Sequence, residues 1–315
     1  EGTTLVIWPD NISSMNNRHL VYRNFFGYRP ALGTNGGESI RIGTSEVCSN
    51  NSGSVIEGNY FERCNGETEI ISNKSGENQF LNNTFFECEG SLTLRHGNRA
   101  VVSGNWFIGN GKANTGGVRI INEGHQIYNN FFYKLRGKEF RSALAIMNAM
   151  PNSPPNGYAP VKNVIVANNT FFDCSVPWNF CVGAGERNRS IKPESTLLTN
   201  NLVYCPNESE LIKSYGNSTG ITLENNLMIN EKGYYKTTGS VPGKVISSKL
   251  GSFEIVYSTV VAQNSPSLKI DIWSQTRTDA VVGAFQNKGD NSKIEVASSG
   301  NCGPLWYKPI QKTYQ

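Results

Sequence analysis

The chain has 315 residues, 17% of them charged, and a formal net charge of +4. This length suits one large all-β domain or two ordinary ones, and so mild a charge gives no reason to expect a nucleic-acid partner. No run of 18 apolar residues occurs, so we expect no transmembrane helix. Glycine and asparagine are abundant, which predicts many short strands joined by tight turns. Oligomeric state cannot be read from these properties.

An asparagine followed by aromatic or other apolar residues recurs along the chain. In chain order the units read RNFFGY at 23–28, GNYFERC at 58–64, NNTFFEC at 82–88, GNWFIGN at 104–110, NNFFYKL at 129–135, NNTFFDC at 168–174, NNLVYC at 200–205 and NNLMIN at 225–230. Four of the seven intervals between these asparagines are 22 to 25 residues long, and the longer ones fit one coil plus a loop insertion.

A period in the low twenties with strand-like alternation predicts a solenoid, and we interpret it as an all-β, right-handed parallel β-helix with loop insertions. Leucine-rich repeats are excluded because repeated leucines and a helix in every unit are missing. We expect coils carrying the functional site in 1–235, and the last coils and a closing segment of the same domain in 236–315. The insertion at 136–162 is expected to wall a groove.

Seven cysteines are scattered along the chain without a CxxC pair, which argues against a structural zinc site. Cys64, Cys88 and Cys174 share one phase of the repeat. A ladder of buried small side chains is the favoured interpretation, and a disulfide or a reactive thiol is the alternative.

Chemistry-bearing residues recur at slowly drifting offsets after the repeat asparagines, which predicts one column on one face. Adjacent coils lie ~4.8 Å apart, so residues one period apart become neighbours. Glu67 and Glu69 point the same way because strand side chains alternate. Carboxylate and amide oxygens suit Ca²⁺, whereas a solvated acidic face with ordinary ion pairs is the alternative. The members of the column are Asn35, Glu67, Glu69, Arg95 and Arg119, with Lys74 just beyond the acidic pair.

Three segments of this column, NGGESIRIG at 35–43, NGETEIISNKSGEN at 65–78 and LRHGN at 94–98, resemble polysaccharide lyase family 6, the family of alginate lyases and chondroitinase B. The stretch DIWSQTRTDAVVGAFQ at 271–286 resembles the closing segment of such domains. Members of the family usually carry several more coils before the NGGE motif, so N-terminal coils are expected to be missing here.

The resemblance implies that Asn35, Glu67 and Glu69 bind Ca²⁺ and that Lys74 is the general base. It implies that Arg95 is the general acid or stabilises the leaving oxygen. His96 and Arg119 would contact the sugar carboxylates, and His125 is a further candidate for the groove.

The implied reaction is β-elimination at a 4-linked uronate, in which a neutral base removes the C5 proton and a cation on the carboxylate stabilises the developing charge. Arginine holds its proton too tightly to act readily as a general acid, so a water or a tyrosine is an alternative proton donor to the leaving oxygen.

We expect an alginate lyase acting on mannuronate-containing polymer, in the bacterial periplasm or secreted. The alternatives are a dermatan sulfate lyase and a non-catalytic polysaccharide-binding β-helix. A pectate lyase is a weaker alternative. Preference for mannuronate or guluronate, and endo or exo action, cannot be read from the sequence.

Overall fold

A computed structural model describes residues 2–9, 16–262, 268–277, 281–286 and 295–304. Within these ranges the chain forms three long sheets, a hairpin and two short 3-10 turns at Glu139–Arg141 and Glu186–Asn188. No helix in the described ranges is long and apolar enough to cross a membrane.

Each of the three sheets takes one strand from every coil. Sheet A consists of Leu5–Ile7, Ile40–Ile42, Glu69–Lys74, Gly90–His96, Thr115–Ile120, Leu144–Met147, Trp178–Val182 and Ile212–Ser214. Sheet B consists of Leu20–Tyr22, Val55–Glu57, Gln79–Leu81, Val101–Ser103, Gln126–Tyr128, Ile165–Ala167, Thr196–Thr199 and Ile221–Glu224. Sheet C consists of Phe25–Phe26, Tyr60–Glu62, Thr84–Phe86, Trp106–Ile108, Phe131–Tyr133, Thr170–Phe172, Leu202–Tyr204, Asn226–Asn230, Gly233–Tyr234 and Ser240–Val241.

Within the three sheets, the described strands pair in parallel with the strand one coil away, except for the antiparallel addition of Gly233–Tyr234 to sheet C. The parallel β-helix predicted from the repeat is therefore confirmed. Its interior is a continuous apolar column, because one set of alternating side chains from all three sheets points inward. Five phenylalanine pairs stack along it with ring centroids 4.5–4.9 Å apart.

The Asn-Asn pairs form the corner between sheets B and C, and the two asparagines of each pair have different structural roles. The first residue of the pair adopts a left-handed backbone, as at Asn82 and Asn129 with φ of 55° and 54°. The second is buried and bonds to its counterpart in the next coil. Asn83, for example, donates its backbone N–H and its Nδ2 to Asn105 Oδ1 at 2.9 and 3.0 Å. The ladder runs from Asn24 to Asn226.

Removing one rung of this ladder should destabilise the fold strongly. Asn105→Ala removes the acceptor of Asn83 and the donor to Phe80 O, and leaves these buried groups without partners. At about 1–3 kcal/mol for each unsatisfied buried group, we expect a loss of about 3–5 kcal/mol in unfolding free energy, measured by urea denaturation. Asn82→Gly is the matched control and should cost little, because Gly58 and Gly104 take the same left-handed position in neighbouring coils. Equal losses in the two variants would contradict this account.

The cysteines form the predicted ladder of buried thiols. Cys64, Cys88 and Cys174 are buried and free. The backbone N–H of Cys64 lies 3.4 Å from Cys88 Sγ, and that of Cys174 lies 3.3 Å from Cys205 Sγ. These thiols fill the turn after sheet C and form no disulfide.

Beyond Val241 the described residues do not continue the three sheets, so the additional coils expected within 236–315 are limited to Ser240–Val241. The hairpin of Val245–Leu250 and Phe253–Ser258, followed by an irregular segment, packs on the outer face of sheet C. Residues 271–277 and 281–286 belong to this cover, as Trp273 against Trp106 shows. Residues 263–267, 278–280, 287–294 and 305–315 of the expected C-terminal part lie outside the described residues.

Candidate functional site

The outward face of sheet A collects most of the predicted site residues. Glu69 and Lys74 lie at the two ends of one strand, and the register places Ser72 beside Thr93, which in turn lies beside Arg119. The carboxylates thus stand at the beginning of the face, Arg119 in its middle, and Lys74 at its end. Stacking of coils brings these residues together from three separate stretches of sequence.

Three carboxylates meet at the beginning of this face. One oxygen each of Glu38, Glu67 and Glu69 lies within 4.8 Å of the others, and Glu38 is only 1% exposed. Burial, together with the neighbouring Glu38 and Glu69, raises the pKa of Glu67 to about 7. Like charges held this close in a partly dry site are a destabilising arrangement that a cation would relieve.

The geometry of this acidic cluster fits a calcium ion. Oxygens bound to one Ca²⁺ at ~2.3–2.6 Å lie at most about 5 Å apart, which matches the carboxylate spacing. Gly36 N–H already donates to Glu67 Oε2 at 3.3 Å, which brings the Asn35–Glu38 turn against the cluster. Asn35 itself is exposed at this turn. The residues that could hold the ion are therefore Glu38, Glu67 and Glu69, with Asn35 adjacent.

Glu38 was not among the predicted ligands, although it lies in the NGGE motif three residues after Asn35. A glutamate placed next to a strand of alternating residues gives no local sign that its carboxylate turns toward the next coil. The sequence signal for this cluster was the pair Glu67 and Glu69, which lies one coil later.

Lys74 is half-buried at the end of its strand, and the register pairs it with His96 in the next coil. His96 is 3% exposed, and its Nε2 lies 3.3 Å from Ser45 Oγ. Burial and the charges of Arg95 and Lys74 lower the pKa of His96 to about 3. His96 is therefore a neutral ring beside Lys74 at any working pH.

Arg119 joins the acidic cluster to the centre of the face. Its Nη1 lies 3.6 Å from Glu69 Oε1, its Nη2 donates to the Tyr158 hydroxyl, and it is 6% exposed. The buried Nε has no partner within the described part of the chain. Arg119 therefore links the acidic cluster to Tyr158 in the wall of the site.

Arg95 projects toward the insertion at 136–162 and not into open solvent. Its two terminal nitrogens donate to the carbonyl oxygens of Gly157 and Asn156, the latter at 2.9 Å, and its guanidinium carbon lies 4.4 Å from the Tyr158 ring centroid. Burial lowers the pKa of Arg95 from its usual value. Arg95 thus fastens the insertion over the face.

The insertion and the next coils enclose a cavity of about 650 Å³ beside this face. It has the predicted Glu69, Arg95 and Arg119 in its wall, and sequence reasoning missed Tyr158 and Arg189. The insertion was correctly expected to wall a groove, but no periodic signal fixed which of its side chains would face inward. The lining thus combines cations for an acidic polymer with aromatic surfaces.

His125 does not lie in the groove, and the expectation that it contacts substrate is corrected. The ring is 0% exposed. Its Nδ1 accepts from the backbone N–H of Ala100 at 3.1 Å, and its Nε2 pairs with the carbonyl oxygen of Ile121 at 2.8 Å. Both ring nitrogens of His125 are hydrogen-bonded inside the solenoid wall, so neither is free to bind a sugar.

The buried His125 should make the protein sensitive to acid. Burial lowers the pKa of His125 from 6.5 to about 4, so its contribution to stability is full above pH 6.5 and is lost as the pH falls from 6.5 toward 4. A shift of this size corresponds to about 3 kcal/mol. We expect unfolding free energy measured between pH 7.5 and 4.5 to fall less steeply in His125→Asn than in the native protein. Parallel curves would show that His125 does not titrate as described.

The model of the Chondroitinase B family matches residues 1–268. The solved structure of the PL6 family alginate lyase AlyGC is 34% identical with a TM-score of 0.81, over 98% of this chain and 39% of that chain. A mannuronic acid specific polysaccharide family 6 lyase from human gut microbiota is 33% identical with a TM-score of 0.66, over 73% of this chain and 51% of that one.

A PL6 alginate lyase in complex with a trisaccharide has a TM-score of 0.71 at 21% identity, which shows a shared fold alone. The comparison with curated proteins gave no match. This chain spans about two-fifths of the length of AlyGC, since it covers 39% of it.

Proposed function

The chain belongs to the chondroitinase B family, polysaccharide lyase family 6, and on that premise we propose that it cleaves mannuronate-containing alginate by Ca²⁺-assisted β-elimination. The product would carry a 4,5-unsaturated uronate at its new non-reducing end. The proposal is carried by one observation. The acidic cluster, Arg119 and Lys74 lie in that order along the outward face of sheet A.

The acidic cluster of Glu38, Glu67 and Glu69, with Asn35 beside it, is the proposed calcium site. When bound there, Ca²⁺ supplies Lewis-acid stabilisation of the substrate carboxylate, and so makes the adjacent C5 proton more acidic. Arg119 stands next to this cluster, and its positive charge is suited to attract the same carboxylate.

Lys74 is the proposed base, because it is an amine on the strand that Glu69 begins and lies in register with His96 of the next coil. The neutral amine takes the C5 proton, the electrons of that C–H bond form the C4–C5 double bond, and the C4–O bond breaks with its electron pair on the oxygen. The oxygen takes a proton from water, and the ammonium returns its proton to the hydroxide that remains. His96 stays uncharged beside Lys74 because its pKa is lowered to about 3. It therefore adds no positive charge, and its ring is available to fix the position of the lysine or a sugar.

Alginate is preferred as substrate because solved structures above 30% identity are described as an alginate lyase and a mannuronic acid specific lyase. The family model bears the name of chondroitinase B, so dermatan sulfate is the second candidate. For a polymeric substrate of this kind we propose a periplasmic or secreted location.

The decisive experiment follows the ultraviolet absorbance of the unsaturated uronate with alginate, and separately with dermatan sulfate. Each assay is repeated with EDTA and again after excess Ca²⁺ is restored. We expect absorbance to rise with alginate, to fall with the chelator and to recover with calcium. A flat trace with both polymers from folded, calcium-loaded protein would contradict lyase activity and favour a polysaccharide-binding role.

A further inference from the structure

Trp8 is a large apolar side chain that remains exposed on the outward face of sheet A. It directly follows the strand Leu5–Ile7, and 57% of its surface is exposed. A single exposed aromatic residue needs no special explanation, because folded proteins expose many apolar atoms. The position of Trp8 is what gives it meaning, since the register of sheet A places it in line with Lys74.

The register of the first three coils gives this alignment. Ile7 pairs with Ile42 in the second coil, and Ile42 pairs with the residue that precedes Lys74 in the third. Trp8 and Gly43 directly follow the two paired isoleucines. The N–H of Gly43 continues the ladder by donating to Ile7 O at 2.8 Å. Trp8, Gly43 and Lys74 therefore form one row across three coils.

The two side chains of this row point away from the solenoid interior. Ile7 is buried in the core, so the alternation of an extended chain directs Trp8 outward. Asn73 is likewise buried, and Lys74 follows it. Gly43 lies between them with a φ of 84°, and a Cβ there would come within 2.7 Å of Lys74 O. The row thus presents an aromatic surface, a position without a side chain, and an amine.

The spacing of this row matches a sugar polymer. Adjacent coils are ~4.8 Å apart, which is close to the length of one sugar in an extended 1,4-linked chain. Trp8 lies two coils from Lys74, or about 10 Å along the axis of the solenoid. A polymer that runs along this axis with one sugar at Lys74 therefore places another sugar beside the indole.

Arg41 completes the surroundings of the indole. Its guanidinium carbon lies 5.8 Å from the centroid of the Trp8 ring, so the cation stacks on one part of the indole and most of the residue stays exposed. A flat apolar surface beside a positive charge suits a pyranose ring that carries a carboxylate, because the ring offers C–H groups and the carboxylate an anion.

We propose that Trp8 is a stacking platform for one uronate of the bound polymer, about two sugars away from the sugar that meets Lys74, and that Arg41 holds the indole in place. The inference rests on the proposed function, because it adds a binding subsite to the same face. The platform contributes to binding and takes no part in the chemical step.

Trp8→Ala should weaken the binding of polymannuronate without slowing its cleavage. A contact made equally with the substrate and with the transition state changes KM and leaves kcat as it was. We expect KM to rise by about 10-fold, the scale for truncating an aromatic anchor, with kcat unchanged. Trp8→Phe keeps an aromatic ring and should restore most of the affinity. Initial rates of ultraviolet absorbance give both constants.

Tyr22→Ala is the matched control, because Tyr22 is an aromatic residue of the same coil that is 51% exposed on sheet B and not on sheet A. It should leave KM unchanged. Both alanine variants should keep the native melting temperature, since each side chain is more than half exposed. An unchanged KM in Trp8→Ala, or an equal rise in Tyr22→Ala, would overturn the platform.

Trp8 also allows binding to be measured without turnover. Trp106, Trp178 and Trp273 are buried, whereas Trp8 is exposed, so a sugar that covers the indole should change its fluorescence. In Lys74→Ala with calcium, we expect oligomannuronate to shift the emission to shorter wavelength. The shift should be lost when Trp8→Phe is added to this variant.

The two measurements separate the platform from the lyase activity. If the native protein gives no unsaturated product from alginate, the proposed function fails, and the emission titration still decides the platform. An emission shift that depends on Trp8 supports it. Saturating oligomannuronate that leaves the emission unchanged contradicts it, whatever the activity of the native protein.

Discussion

Replacing Lys74 by alanine should lower the rate of unsaturated product formation from alginate by about 10³-fold, within the range for loss of a general base. The reason is that no other amine is paired with His96 at the end of this face in the described register. The initial rate of ultraviolet absorbance, at saturating substrate and calcium, is the measurement. Melting temperature should change little, since Lys74 is half-buried and makes none of the buried ladder bonds.

Lys74→Arg separates a base from a mere positive charge. Arginine keeps the charge but does not give up its proton, so this variant should be as inactive as Lys74→Ala. Lys249→Ala is the control, because this lysine is exposed on the C-terminal hairpin away from sheet A. Substantial activity in Lys74→Arg would mean that another group removes the C5 proton.

The second large effect is expected at Glu38, the glutamate of the acidic cluster that sequence reasoning did not include. Glu38→Gln keeps the size of a side chain that is 1% exposed, and removes one of three converging charges. We expect calcium affinity to fall by at least about 10- to 100-fold, since that is the scale for losing even a group that only orients a metal ligand. Isothermal titration calorimetry with Ca²⁺ gives the affinity. Activity should return only at proportionately higher calcium.

Glu89→Gln is a fair comparison, because Glu89 is a half-buried carboxylate of the neighbouring coil that bonds to Asn65 and Asn114 and not to the cluster. It should leave calcium affinity unchanged. If Glu38→Gln binds Ca²⁺ as tightly as the native protein, Glu38 is not a ligand, and its burial beside Glu67 must be explained by the fold alone.

Much of the fold could be predicted because the interactions that define a β-helix repeat with the sequence. Each ladder asparagine bonds to an asparagine one period away, such as Asn83 to Asn105, so a single interval specifies the pairing. The inward phenylalanines repeat with it. The C-terminal cover has no such period, and its position on sheet C depends on apolar contacts with several coils at once.

The alternation rule for strands fails where the strands carry irregularities. In Gly90–His96 the register shifts between Leu94 and His96, so Arg95 and His96 do not follow the two-residue alternation of the rest. The different placements of His96, beside Lys74, and His125, inside the wall, could not be inferred from their sequence contexts. His96 contacts the Ser45 hydroxyl and His125 the backbone N–H of Ala100, and both partners are distant in sequence.

Position within the repeated unit was enough to predict the coil and the column that holds Glu67, Glu69 and Arg119, whereas the role of Lys74 came from the family resemblance. The tertiary structure decided that Glu38 joins the acidic cluster, that His125 is structural, and that Tyr158 lies over Arg95. These three outcomes share one physical reason. Each depends on the path of a non-repeating turn or loop across neighbouring coils, which contacts distant in sequence determine.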